Sequence, residues 1–161
     1  MVSSRRLILD ANLAVLLIVG LADARLIASH RNLKAYDLSD LELLKAAVSM
    51  SGELLWCPHL ASEVSNLIRQ IGGPAKAMLT QALAQALTGA QEEYISSEQG
   101  IHHWAYPALG LNDAIIILLA QSGATLLTAD LDLHLRVLGE GLTSVNFAEL
   151  RDSRRDFLPA V

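Results

Sequence analysis

Four carboxylates stand where this chain could do chemistry: Asp10, Glu63, Asp113 and Asp130. Each lies where an apolar run meets a polar break. Asp10 closes Leu7-Ile8-Leu9, Asp113 opens Ala114-Ile115-Ile116-Ile117-Leu118-Leu119, and Asp130 follows Ala124-Thr125-Leu126-Leu127-Thr128. Glu63 borders the stripe Leu60, Val64, Leu67, Ile68 and Ile71, which recurs with a helical period. Gathered in one pocket, four acids would repel one another and raise each other's pKa values. A divalent cation removes that penalty, and an all-oxygen donor set suits Mg²⁺ or Mn²⁺ better than zinc. Such a centre supports attack of water on a phosphodiester, because the cation acidifies the water and shields the phosphate charge. Taken singly, each acid has a plainer role. Asp10 and Asp130 can be helix N-caps, Asp113 can complement a helix dipole, and Glu63 can be a border glutamate.

Positioning such a set calls for a sheet with helices around it. Short apolar runs, Leu7–Leu9, Glu53–Cys57, Ala124–Thr128 and Ser144–Phe147, read as strands, the first and third buried on both faces. Between them lie helical stretches: one from Asn12, one from Ser39-Asp40 to Met50, one opening at Pro58, then Ala75–Leu87, Ser97–Tyr106, Leu111–Gln121 and Leu131–Leu138. Strands alternating with helices predict an α/β fold with a mainly parallel sheet. Sites in such sheets form at the carboxyl ends of strands, where Asp10 and Asp130 are expected. The segment Ala24–Leu38 has no clear periodicity. Residues 1–148 are expected to form one domain, and 149–161 a charged, partly ordered tail.

Composition sets the outer bounds. With 161 residues, 52% apolar and 18% charged, the chain can bury a full core. One cysteine, Cys57, excludes an internal disulfide and a thiolate zinc cage; with no signal-peptide pattern, a reducing cytoplasm is expected. Leu13–Ala22 is apolar for only ten residues, short of the roughly 20 that a membrane span needs, so a core helix and no membrane role are expected. A net charge of −5 disfavours gripping nucleic acid by electrostatics alone, unless a metal neutralises the contact.

The motifs LILDAN, SEVSNL, LGLNDA and LLTADLDL, in this order, resemble the PIN-domain family, including stand-alone bacterial members of the VapC type. The likeness spans about Leu7 to Phe147. It implies a three-layer α/β/α sandwich, an Mg²⁺- or Mn²⁺-dependent endoribonuclease, and Asp10, Glu63, Asp113 and Asp130 as catalytic metal ligands. Asp132 falls where some members carry a further acid, while Asn12 and Thr128 match supporting positions. RNA is the implied substrate, and an antitoxin protein and a second copy of the chain are candidate partners. Asp23–Ser39 and Gln91–Tyr106 are longer than in compact toxin members.

Arg25, His30, Arg31 and Lys34 form the densest basic group, a candidate RNA contact or an ordinary solvated face. His102-His103-Trp104 reads equally as a stacking element or as a buried Trp beside exposed histidines, and His134 and Arg136 are expected at the surface. A phosphatase or receiver domain also places an Asp after its first strand. Asn12 departs from Asp-x-Asp, however, and no lysine follows Lys76. A non-catalytic interaction protein on the same fold is the other alternative.

Overall fold

The computed structural model describes residues 5–156. Five strands, β1 (Arg6–Leu9), β2 (Glu53–Trp56), β3 (Gln91–Glu92), β4 (Thr125–Thr128) and β5 (Ser144–Asn146), form one sheet in the order β3-β2-β1-β4-β5. Every pairing is parallel, with Leu7 opposite Leu54 and Thr125, and Thr128 opposite Asn146. Parallel neighbours need a crossover, and helices supply it. They are α1 (Ala11–Asp23), α2 (Leu38–Ser51), α3 (Pro58–Ile68), α4 (Ala75–Leu87), α5 (Ser97–His102), α6 (Tyr106–Leu109), α7 (Leu111–Ala120), α8 (Leu131–Gly139) and α9 (Phe147–Asp156). The molecule is an α/β/α sandwich. Alternation along the strands turns Leu7, Leu127 and Val145 towards α2 and α9. Ile8 and Leu126, on the other face, are fully buried.

Leu13–Val19 of α1 are all buried, so the most apolar early segment is a core helix. Together with a 3-10 turn at Ala24–Ala28 it makes an 18-residue helical run, Ala11–Ala28, apolar enough by length and composition to cross a membrane. Its brevity is therefore no argument against a span; the burial of half the run inside the domain explains its composition. Gly20 lets α2 come close, since a Cβ there would lie 2.3 Å from Leu41 Cδ1.

Four expectations need correction. β3, too short and exposed for any periodicity, adds an edge strand outside β2. The helix expected over Ser97–Tyr106 stops at His102, and Tyr106–Leu109 forms a separate turn. The cap of α2 is Asp37, with Asp40 completing a reciprocal capping box, rather than Ser39-Asp40. The largest change is at the carboxyl end, where the expected loose tail begins as α9 and continues to Asp156. Asn146 Oδ1 accepts from the Ala148 N–H (2.9 Å) and starts the helix. Arg151 and Arg154 then reach α2. Arg151 Nε lies 2.9 Å from Asp40 Oδ1, and Arg154 donates to the Ser39 carbonyl at 2.6 Å. The remainder of the expected tail lies outside the described residues.

Asp40 is 1% exposed, so its charge depends on that pair. Arg151→Ala is expected to cost about 2–3 kcal/mol, lowering the melting temperature by roughly 5–10 °C. A thermal melt followed by circular dichroism measures it, and a shift within about 1 °C would show the clasp to be dispensable.

Candidate metal centre

β1 and β4 are adjacent and parallel, so the residues that leave their carboxyl ends meet; the Asp10 N–H donates to the Leu127 carbonyl at 3.1 Å. Asp10 is extended (φ −66°, ψ 167°) and caps α1, its Oδ1 accepting from the Leu13 N–H at 3.0 Å. Its Oδ2 accepts from the Thr128 hydroxyl and from the Ala129 N–H (3.1 Å). Thr128 Oγ1 accepts in turn from the Asp130 N–H at 3.0 Å. Asp130 caps α8 through Oδ1, which accepts from the Leu133 N–H at 3.1 Å. One buried threonine hydroxyl thus ties the two strand-end acids together.

The other two acids arrive on helices. Pro58 opens α3 directly after β2, and Glu63 lies a turn and a half along it, half-buried. Gly110 enters α7 at φ +89°, a conformation that L side chains rarely adopt, and the turn sets Asp113 in the first turn of that helix.

Burial and neighbouring charge act on Asp10, Glu63 and Asp113 in the same direction. Burial pushes the Asp10 carboxyl upward, against the hydrogen bonds from Thr128, Leu13 and Ala129, and the Asp130 charge adds to the rise. Glu63 is raised by burial and then by Asp10. Asp113 is pushed up to about 6 by burial, and then by the charges of Asp130, Glu63 and Asp10. Charges from distant parts of the chain thus act on Asp113.

Among the described residues, no three acidic, histidine or cysteine side chains are drawn tightly enough together to hold a metal ion. Asp10 and Asp130 each spend an oxygen on a backbone N–H group at a helix start. Glu63 Oε2 nevertheless lies buried with no hydrogen-bond partner. An orphaned carboxylate oxygen beside further carboxylates can be satisfied by a proton or a cation. By donor chemistry the four residues fit a hard divalent ion.

Asp132 is exposed on α8 and is not among the charges acting on Asp10, Glu63 or Asp113. Asn12, expected as a supporting residue, is exposed, and Asp10 caps α1. Thr128 is the supporting residue whose place in the site is explicit. Two residues at the site gave little sequence signal. Asn112, beside Asp113, has a buried Oδ1 without a partner. Tyr36, from the segment without periodicity, has its hydroxyl pushed up to about 12 by burial and by the Asp10 charge. Its ring packs on Phe147 (centroids 6.2 Å apart) beneath the Arg151 guanidinium at 5.7 Å. A lone aromatic in a polar loop was the only available hint.

The basic and histidine expectations change most. Arg25 is paired with its own neighbour Asp23, at 2.9 Å. His30 is buried: its Nδ1 accepts from the Asn32 N–H, and its Nε2 lies 3.2 Å from the Ile68 carbonyl. Arg31 and Lys34 are exposed. His134 is also buried, 2.7 Å from Ser144 Oγ, because α8 packs that face on β5. Trp104 is 59% exposed, with Arg136 over its ring, and His103 turns inward to Glu140 at 2.7 Å, against the expected buried Trp and exposed His pair, while His102 is exposed as expected.

No protein-family model matches the chain, and no curated protein matches it significantly.

The sign of the Asp113 shift makes a prediction for the metal-free protein. An acid raised from 3.8 to about 6 adds no penalty below pH 4; the penalty grows between pH 4 and 6 and is complete above. Asp113→Asn should therefore stabilise the protein at pH 7.5 in chelator by about 1–2 kcal/mol, after allowance for solvent screening. The advantage should shrink as pH falls towards 4.5. Paired melts across that range test it, and a variant less stable than the parent at pH 7.5 would show that Asp113 is not under carboxylate repulsion.

Proposed function

We propose that this chain is a metal-dependent endoribonuclease of the PIN type, hydrolysing RNA phosphodiester bonds with Mg²⁺ or Mn²⁺ held by Asp10, Glu63, Asp113 and Asp130. The observation that carries the reading is the convergence of these acids at the carboxyl edge of a parallel sheet. There Asp113 is raised by burial and then by the charges of the other three. A folded chain gains nothing in stability from that repulsion, so the cluster points to a cation and an anionic substrate. The ordered resemblance of LILDAN, SEVSNL, LGLNDA and LLTADLDL to PIN domains supports the same conclusion.

When bound, the ion supplies an acidified water and shields charge on the scissile phosphate. The chain's own residues prepare the place. Thr128 and the Ala129 N–H hold Asp10 Oδ2, so that carboxylate is oriented before any ligand arrives. The amino ends of α1, α7 and α8 all adjoin the acids, and their positive poles ease the crowding of negative charge. Glu63, with its buried unpartnered Oε2, keeps an acceptor open to a ligand.

The competing reading is a non-catalytic interaction protein, in which Asp10 and Asp130 serve only as helix caps. Metal binding separates the two. Mn²⁺ titration is expected to raise the melting temperature of the parent and to do so far less for Asp10→Asn. With Mn²⁺, both Asp10→Asn and Asp113→Asn should cut single-stranded RNA at least about 100-fold more slowly than the parent. Because Asp113→Asn is expected to be the more stable protein, its loss of cleavage could not be blamed on unfolding. Undiminished cleavage by both variants, or a parent indifferent to Mn²⁺, would end the nuclease reading.

A further inference from the structure

Positive charge is unevenly spread on this acidic chain. No Asp or Glu occurs from Ala24 to Tyr36 or from Val64 to Gln91, while those two stretches carry Arg25, Arg31, Lys34, Arg69 and Lys76. Folding brings the stretches together. Asn32 Nδ2 donates to the Leu67 carbonyl (3.3 Å) and to Gln70 Oε1 (2.9 Å), and His30 Nε2 sits 3.2 Å from the Ile68 carbonyl. The loop bearing Arg31 and Lys34 is thereby stapled to the carboxyl end of α3, next to Arg69. The turn Gly72-Gly73-Pro74 then leads at once into α4, whose first turn carries Lys76. Arg25 stays out of the group, neutralised by Asp23. The other four are exposed, and among the described residues none of them makes an ion pair.

The patch also has a fixed relation to the acidic centre. Glu63 and Leu67 lie at i and i+4 of α3, which ends at Ile68. The loop that Asn32 anchors is bonded to the Leu67 carbonyl, about 6 Å along the helix axis from Glu63. Three residues past Leu33 the same loop reaches Tyr36, whose hydroxyl feels Asp10. A cationic rim beside an anionic, cation-seeking centre matches a polyanion whose backbone runs from one to the other.

We propose that Arg31, Lys34, Arg69 and Lys76 form the surface that holds the single-stranded RNA flanking the scissile phosphate, at the corner of α3 and α4. The assignment rests on the nuclease reading and adds to it the direction in which the strand leaves the site. Lysine and arginine contacts to phosphates carry affinity through counterion release, without reading sequence.

The test uses the full chain carrying Asp10→Asn, with Mg²⁺ and a fluorescein-labelled single-stranded RNA followed by anisotropy. Adding R31A, K34A, R69A and K76A together should weaken binding about tenfold or more, and should flatten the slope of log Kd against log salt by about 2–3. R5A, which removes an exposed cation from the opposite edge of the sheet, should change neither. In the otherwise unaltered chain, the four substitutions should raise KM for RNA cleavage and leave kcat nearly unchanged. Unchanged affinity and slope, alongside intact cleavage by the parent, would overturn the rim and leave the nuclease reading standing. A parent that neither cleaves nor binds RNA would sink both. Poly-glutamate displacing the label as effectively as unlabelled RNA would reassign the rim to an acidic protein partner.

Discussion

Everything at the carboxyl edge of this sheet is organised around a single electrostatic conflict, the enforced nearness of like charges. Asp10, Glu63, Asp113 and Asp130 come from β1, α3, α7 and the β4–α8 junction, and each is fixed by an element that also builds the core. The strand-end pair cannot move apart without breaking the β1–β4 ladder, and Thr128 links the two through its hydroxyl. Helix amino ends and backbone N–H groups relieve part of the repulsion but not all of it. Burial and the neighbouring charges still leave Asp113 at about 6, and Glu63 keeps an oxygen without a partner. A fold tolerates such a cost where function needs it.

Around that conflict the molecule places two kinds of support. Behind the acids, α9 clamps α2 through Arg151, Arg154 and the buried Asp40, and the same Arg151 lies over Tyr36, whose hydroxyl senses Asp10. This helix is thus fastened to α2 and to the Tyr36 ring and is not an appendage. Beside the acids, the loop from His30 to Lys34 is anchored on α3 by a buried imidazole and an asparagine side chain. That anchoring leaves neighbouring cations in solvent. A net charge of −5 concealed this division, because it sums an acidic edge and a basic corner that do different work.

The elements themselves were legible in the residues. Leu7–Leu9 and Thr125–Thr128 are apolar without interruption because strands in a parallel sheet bury both faces, and α3 shows its stripe because only one side meets the core. The helices opening at Pro58 and Ala75 and the one entered through Gly110 follow from proline, from glycine and from helical period. The acids stood out because each marks the end of such an element. Local windows failed where the deciding contact was distant. β3 exists because β2 offers it an edge, and α9 stays helical because Asp40, more than a hundred residues earlier, receives its arginines.

Sequence alone therefore determined the periodicities, four of the five strands with most of the helices between them, and the four carboxylates as the residues to watch, since these depend on side-chain type and near neighbours. Only the tertiary structure decided that those carboxylates act on one another and that Asp132 stands apart. It alone buried His30 and His134, exposed Trp104, and set Arg31 and Lys34 beside Arg69. The reason is that charge and solvation are summed over space rather than along the chain, and that sum has no value until distant segments have been brought into contact.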